Sequence, residues 1–273
     1  MDRIDERTAR SVGAFLDLPL DDIVDGARLP LMWHLFYFLA HPAQSEIGPD
    51  GHGTVGEPTP PGTRRMFAGG RVTLQPGLNI GDTAMSASEI TADTIREGKS
   101  GLLRFVTHRA ALGRPGEPPA LIDERDIVYI PVTTASAGPA AERAPRDPAS
   151  PPPEAAQSAD VLCSVEVDPT LLFRFSALTY NAHRIHYDRD YARDVEGYPG
   201  LVVHGPLQAV LMANLAVEHG DAPADAARFS YRLVAPLFEH EGLYVTATRD
   251  EGGVVTQVMD GTGRVTAKGR FEA

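Results

Sequence analysis

Two stretches of the chain repeat one pattern, and this repeat restricts the folds open to it. The stretch RVTLQPGLNIGDTAMSASEI alternates apolar and polar residues, passes through Pro76 and Gly81, and then alternates again. The stretch YRLVAPLFEHEGLYVTATRD follows the same course, with a proline and a glycine in matching places. Short alternating strands joined by glycine-containing turns are typical of antiparallel sheet. The repeat therefore predicts two halves that are built alike.

Each half also contains helical patterns. The stretch GPLQAVLMANLAVEHG has Pro206 at its start and Gly220 at its end, and it is apolar on almost every side, which predicts a buried helix. In the first half, TARSVGAFLDLPL and LMWHLFYFLA both have helical character. We therefore predict the α+β class, with two repeats that each have a curved antiparallel sheet wrapped around a central helix.

A segment rich in Pro, Ala and Ser divides the chain. Residues 134–160 lack a hydrophobic period, which is typical of an extended linker without a core. The predicted domains are therefore an amino-terminal repeat over 1–133 and a carboxy-terminal repeat over 161–273. A second segment, 41–62, is polar and broken by Pro and Gly, so it predicts a long surface loop of the kind that often borders a binding site.

Charge and composition exclude several classes of protein. The formal net charge of -12 argues against a nucleic-acid binder or a binder of anionic membranes, because both require a basic surface. The longest apolar stretch, LPLMWHLFYFLA, is about half of the roughly 20 residues that a membrane span requires. The amino terminus lacks the layout of a secretory signal, and the single cysteine permits no intramolecular disulfide. We therefore expect a cytoplasmic protein.

The segment TYNAHRIHYD, residues 179–188, precedes the predicted buried helix and carries the candidate chemistry. His186 can act as a general base or acid near neutral pH, and the amide of Asn181 can hold a water molecule. Gly205 begins the helix, where unpaired backbone N–H groups and a partial positive charge can stabilise an oxyanion. A hydrogen-bonded core histidine at 186 and a turn-forming asparagine at 181 are the alternatives.

In these segments the sequence resembles the MaoC-like hydratases and, more closely, the hydroxyacyl-thioester dehydratase type 2 family. The specific parts are FSALTYNAHRIHYDRDYA and GYPGLVVHGPLQAVLMA; LPLMWHLFYFL, RRMFAGGRVT and GKSGLLRFVT support them. The family signature has an acidic residue five positions before a histidine, and then a helix-starting glycine. Asn181, His186 and Gly205 occupy these places, with Asn181 standing where most members have aspartate.

The resemblance implies a double hotdog fold and the reversible addition of water across the α,β double bond of an acyl thioester. His186 would take the proton of the water, Asn181 would orient the water, and Gly205 would stabilise charge on the thioester oxygen. No metal and no cofactor is implied, coenzyme A being part of the substrate. The first half would close the acyl pocket without contributing to the chemistry, and a homodimer is possible.

The resemblance in chain length and motif to one branch of the family implies a short dicarboxylic substrate such as mesaconyl-C4-CoA or itaconyl-CoA. A buried carboxylate needs a paired cation, and we expect Arg184, the arginine nearest the catalytic pair in sequence, to provide it. The candidate substrate-binding residues are Arg184, Arg232, Arg64, Arg65, His204 and Tyr180.

Other functions remain open. One is a (3R)-hydroxyacyl-thioester dehydratase of fatty acid metabolism, and another is a hotdog protein that binds acyl thioesters without catalysis. Thioesterase activity is disfavoured by the motif. A metal site of His183, His186 and Asp188 is disfavoured too, because residues 183 and 186 would point to opposite faces of an extended segment.

Overall fold

The protein is described by a computed structural model that covers residues 1–53, 59–75, 77–98, 101–131, 150–220 and 226–272. The strands are β1 (Asp2–Arg3), β2 (Thr63–Leu74), β3 (Thr83–Gly98), β4 (Gly101–Gly113), β5 (Leu121–Pro131), β6 (Val161–Val165), β7 (Ala227–Leu233), β8 (Leu243–Asp250), β9 (Gly253–Met259) and β10 (Val265–Glu272). The α-helices are α1 (Glu6–Phe15), α2 (Glu154–Gln157), α3 (Pro169–Leu178) and α4 (Gly205–His219). Single 3₁₀ turns lie at Trp33–Phe36, Gln44–Glu46 and Arg184–His186, and a π turn lies at Tyr191–Val195.

These strands form one antiparallel sheet in the order β1-β3-β4-β5-β2-β7-β10-β9-β8-β6. The order β3-β4-β5-β2 in the first half is mirrored by β8-β9-β10-β7 in the second, so both halves have one topology. They join at β2 and β7, where Gly70 lies opposite Tyr231 and Arg71 opposite Ser230. Arg71 and Tyr231 are the first residues of the two repeated stretches. Equivalent strands of the two copies therefore pair with each other, as a two-fold axis between the copies requires. The prediction of two related halves is confirmed.

The second half has a long buried helix. α4 packs against β8, β9 and β10 and leaves Val210, Met212 and Ala213 without exposed surface. This is the buried helix that the sequence predicts. The α+β class with a double hotdog architecture is therefore confirmed.

In the first half the helical segments are shorter than their sequences indicate. Of the two candidates, one forms α1, which packs against α3. The other, around Trp33–Phe36, forms only one 3₁₀ turn, because Met32 and Phe38 on either side have left-handed φ values of 70° and 54°. Trp33 is buried against α4 and donates a hydrogen bond to Asn214 Oδ1 at 3.4 Å.

The end of the predicted linker belongs to the fold. Residues 134–149 lie outside the described residues, but 154–157 form α2, which packs against β8 and buries Ala156 completely. The prediction of an extended segment is therefore wrong for these residues: Pro153 starts a turn of helix-forming residues with one apolar side to bury. Strand β5 ends at Pro131 and β6 begins at Val161, while the domain division itself stays a prediction.

Helix α3 was not predicted, and it positions part of the site. It begins where the Asp168 side chain accepts a hydrogen bond from the N–H of Leu171 at 2.6 Å, with Pro169 as the next residue. An aspartate cap followed by proline is a helix-start signal that the sequence did contain. The helix buries Leu172 and Phe175 in the core, and it ends just before the segment that contains Asn181.

Candidate active site

His186 lies at the end of a 3₁₀ turn between α3 and α4, with 7% of its surface exposed. Its Nδ1 donates a hydrogen bond to the carbonyl oxygen of Val202 at 2.7 Å. Since a carbonyl only accepts, Nδ1 holds the ring proton and Nε2 of the neutral ring keeps a lone pair. Burial lowers the pKa of His186 to about 4. The ring is therefore neutral near pH 7 and able to act as a base.

His204 supports the ring of His186 from behind. The two rings stack with their centroids 3.6 Å apart and their planes 18° apart. His204 is fully buried, and its Nε2 lies 2.9 Å from Ser176 Oγ on α3. Burial holds the pKa of His204 well below its usual value, so it remains uncharged. His204 was predicted to bind substrate, but it lies behind His186 and supports that ring instead.

Asn181 fixes the turn that carries His186. Its Oδ1 accepts a hydrogen bond from the backbone N–H of His183 at 3.0 Å, the local bond typical of an asparagine turn. Its side-chain nitrogen has no hydrogen-bond partner among the residues that the structure describes, and Asn181 lines the same cavity as His186. Both readings of this residue are therefore compatible with the geometry: the oxygen orders the backbone, and the nitrogen remains able to donate.

Gly205 is the first residue of α4, and no side chain caps this helix end. The N–H groups of a first helical turn lack partners within the helix, so they can stabilise negative charge. A Cβ atom on Gly205 would lie 2.1 Å from Cδ1 of Leu233 and 3.2 Å from Cδ1 of Phe67. An alanine here would therefore have to displace the Leu233 side chain.

One cavity of about 1390 Å³ brings the three signature residues together. His186, Asn181 and Gly205 line it from the second half, and residues 65–71 of β2 line it from the first. The site predicted from sequence thus lies between the halves.

Two of the predicted substrate-binding arginines are engaged elsewhere. Arg184 donates to Asp188 Oδ2 at 2.7 and 3.1 Å, lies over the ring of Tyr191, and does not line this cavity. The expectation that Arg184 receives a substrate carboxylate is therefore not supported: its i,i+4 partner Asp188 already neutralises it. Arg64 forms an ion pair with Glu196 at 2.9 Å.

Arg65 and Arg232 differ from these two. Both line the cavity, and neither side chain has a hydrogen bond or an ion pair with another residue in the described part of the chain. Arg65 is half-buried on β2 and close enough to His183 for its charge to help lower the pKa of that ring. Arg232 is exposed on β7. The sequence alone cannot distinguish the paired Arg64 from its neighbour Arg65, because the difference depends on what the fold places beside each side chain.

Tyr180 lies in a second cavity of about 740 Å³ that shares Asn181 and His52 with the first. Its ring contacts His41 edge to face, 4.7 Å between centroids. Tyr180 has a left-handed φ of 50° and directs the chain from α3 into the Asn181 turn.

Sequence reasoning missed Asp50 and His52, which come from the first half. They lie in the predicted loop 41–62, of which 41–53 and 59–62 are described. His52 lines the large cavity, and its ring centroid lies 4.1 Å from that of His183. The expectation that this loop borders a binding site is consistent with this position.

The same residues bear on metal binding. The segment around His186 is a turn and not extended, so His183 and His186 are neighbours, with ring centroids 5.5 Å apart. The group whose ligand atoms all lie within 4.8 Å of one another is Asp50, His52 and His183. Its closest pair, His52 Nδ1 and Asp50 Oδ2 at 3.2 Å, forms a carboxylate–imidazole hydrogen bond.

Residues 32–239 match the family model described as hydroxyacyl-thioester dehydratase type 2. The chain is 43% identical over 234 residues to a mesaconyl-C(4)-CoA hydratase of Chloroflexus aurantiacus, an alignment that covers 85% of this chain and 79% of that protein.

Solved structures share the fold at low identity. HtdX of Mycobacterium tuberculosis superposes with a TM-score of 0.64 at 16% identity, over 99% of this chain and 97% of that one. A MaoC-like dehydratase of Phytophthora capsici gives 0.64 at 13% identity, over 98% and 92%.

The contact at Gly205 generates a prediction for stability. Gly205→Ala should lower the free energy of unfolding by about 1–3 kcal/mol, because the added methyl group overlaps Leu233. Chemical unfolding of Gly205→Ala, Leu233→Ala and the double variant measures the coupling of the two sites. The double variant should lose less than the sum of the single losses. Strict additivity would show that the two side chains do not clash.

Proposed function

The chain belongs to the hydroxyacyl-thioester dehydratase type 2 family, and on this basis we propose that it adds water to, or removes water from, the α,β double bond of an acyl-CoA thioester. The observation that carries the proposal is the protonation state of His186. Its Nδ1 is bound to the Val202 carbonyl, so Nε2 keeps a lone pair in a cavity that Asn181 and Gly205 also line. Such a nitrogen can take the proton that water loses on hydration.

In the direction of hydration, His186 Nε2 takes a proton from a water molecule held by the Asn181 amide, and the water oxygen bonds to Cβ. The electrons of the double bond move toward the thioester oxygen. The N–H of Gly205 and the positive end of α4 stabilise the charge that develops there. His204, uncharged and stacked on His186, fixes the plane of the base.

His186→Ala should reduce kcat/KM by a factor of about 10² to 10⁴, as removal of a positioned base does. In the unaltered enzyme kcat/KM should fall with acid through an apparent pKa near 4, because burial keeps His186 neutral down to that pH. The loss of absorbance of an enoyl-CoA on hydration measures both. Near-full turnover by His186→Ala would contradict the assignment. Binding of the enoyl-CoA without hydration by the unaltered chain would favour the non-catalytic alternative.

We further propose that the substrate carries a second carboxylate, as in mesaconyl-C4-CoA, and that Arg65 receives it. Arg65 is half-buried, lines the cavity near His183, and has no ion pair in the described part of the chain. A guanidinium in that position binds a carboxylate in forked geometry. Arg232, exposed at the same cavity, suits a coenzyme A phosphate. The 43% identity to a protein named mesaconyl-C(4)-CoA hydratase supports this substrate class.

The unaltered enzyme should prefer a dicarboxylic enoyl-CoA over crotonyl-CoA by at least about tenfold in kcat/KM, roughly 1.4 kcal/mol. Arg65→Gln should abolish this preference by slowing the dicarboxylic substrate alone. Arg232→Gln is the matched control and should weaken both substrates alike, since both carry coenzyme A. Equal turnover of the two substrates by the unaltered enzyme would refute the dicarboxylate proposal and leave the hydratase proposal intact.

We also propose a homodimer formed through β3. Strand β1 pairs with β3 only at Thr83 and Ala84, so from residue 85 onward no strand in the described part of the chain covers its outer edge. Ile90, Ile95 and Leu102 are 52%, 67% and 64% exposed on the β3–β4 hairpin. A long unpaired edge beside exposed apolar side chains favours pairing with a second chain.

Light scattering at micromolar concentration should therefore give the mass of two chains. Ile90→Lys combined with Ile95→Lys should give one, because charges at the edge oppose pairing. Val24→Lys, at an exposed apolar residue away from this hairpin, is the control and should leave the mass unchanged. A monomeric unaltered protein would refute the proposal.

For the cellular location we propose the cytoplasm, which the single cysteine and the acyl-CoA substrate support. None of the helices in the described residues is long and apolar enough to cross a membrane. Fractionation of cells that produce the protein tests this proposal.

A further inference from the structure

The loop that carries His52 is docked on the catalytic segment through the backbone. The N–H of Arg184 donates to the carbonyl of Asp50 at 2.8 Å, and Arg184 Nη1 donates to the carbonyl of Pro49 at 3.0 Å. Gly51 has a φ of 92°, and a Cβ on it would lie 1.8 Å from the carbonyl oxygen of Ala182. Contacts this close to His186 fix the position of the first-half loop relative to the base.

Asp50 orients the ring of His52. Its Oδ1 accepts from the backbone N–H of His52 at 3.0 Å, and its Oδ2 lies 3.2 Å from His52 Nδ1. The hydrogen bond to His52 holds the pKa of Asp50 well below its usual value, so Asp50 is a carboxylate. A carboxylate only accepts, so Nδ1 carries a proton, and Nε2 is the ring nitrogen left to exchange a proton with the cavity.

The reaction needs a group of this kind. Hydration consumes one proton at Cα and releases one from water, and Asn181 cannot transfer protons. A buried His186 with a pKa of about 4 accepts a proton only transiently. Burial lowers the pKa of His183 to about 2, and His204 does not line the cavity. His52 is only partly buried, lines the cavity and has a carboxylate partner.

We propose that His52, oriented by Asp50, is the second acid–base residue of the site and protonates Cα of the enoyl thioester during hydration. This rests on the proposed function. Water gives its proton to His186 Nε2 as its oxygen bonds to Cβ, and the resulting enolate takes the Nε2 proton of His52 to form the Cα–H bond. His186 then returns its proton to His52 through water in the cavity. In dehydration the same steps run in reverse, with His52 as the base at Cα.

The groups that face His52 are Asp50, His183 and, beyond His183, His186 and Arg65. Asp50 is the group among these that forms a hydrogen bond with the His52 ring. Asp50→Asn should therefore lower kcat, as a substitution of His52 should. Both belong to the first half, so the halves would share the chemistry.

The test compares His52→Asn with a matched pair elsewhere in the chain. His219 lies 3.4 Å from Asp160 Oδ2 and does not line either cavity described above, so His219→Asn removes a similar pair and should leave activity unchanged. His52→Asn should lower kcat for hydration about 10² to 10⁴-fold with KM within about threefold, as loss of a proton donor does. Asp50→Asn should lower kcat by a smaller factor.

A structural role for His52 is distinguished by an isotope effect. Dehydration of a 3-hydroxyacyl-CoA with deuterium at Cα should show a larger primary isotope effect in His52→Asn than in the unaltered enzyme, because breaking the Cα–H bond becomes the slow step. Activity of His52→Asn within threefold of the unaltered enzyme, or a loss of kcat with an unchanged isotope effect, overturns the proposal. The proposal is also overturned if elemental analysis finds one equivalent of bound metal in the unaltered enzyme and none in His52→Asn. Absence of hydration by the unaltered enzyme defeats the proposed function and this inference together, whereas an active His52→Asn defeats only the inference.

Discussion

The pairing of β2 with β7 is the contact on which the rest of the molecule depends. It converts two five-stranded units into one sheet and places the cavity beside the join. Two glycines make this approach possible. A Cβ on Gly69 would lie 2.3 Å from the carbonyl oxygen of Tyr231, and one on Gly70 would lie 2.7 Å from the hydroxyl oxygen of Tyr231. Gly69 also has a φ of 149°, at a bulge between β2 and β5, which side chains rarely adopt.

Burial at the join determines the chemistry. His186 lines the cavity between the two halves. Burial removes water from its ring and lowers its pKa, so His186 is a neutral base at physiological pH. The same burial makes a retained positive charge on the ring unfavourable. A site organised in this way favours rapid transfer of the proton to another group. His52 at the same cavity is more exposed and lies beside a carboxylate.

The sequence predicted the features that depend on local pattern. The repeat of strands and the helix α4 follow from periodicity and helix-start signals, and the family resemblance implied Asn181, His186 and Gly205 as one site, which the structure places in one cavity. The sequence did not predict which arginine is free, because Arg184 and Arg65 differ only in what the fold places beside them: Asp188 for one, an open cavity for the other. Nor did it place His52 near His183, since these residues are brought together by contacts between distant loops.

The two copies differ at the place of the long helix. The second copy retains a long helix whose first residue lies in the cavity, whereas the first copy has only a 3₁₀ turn bracketed by left-handed residues in the segment that contains Trp33. That turn packs against α4, and the loop that follows it reaches the Asn181 turn. A long helix start at this place would offer a second oxyanion site with no histidine and asparagine at family spacing to serve it. The segment instead packs against α4 and leads into the loop that carries Asp50 and His52, so in place of a long helix the first copy has a turn and a loop that border the site of the second.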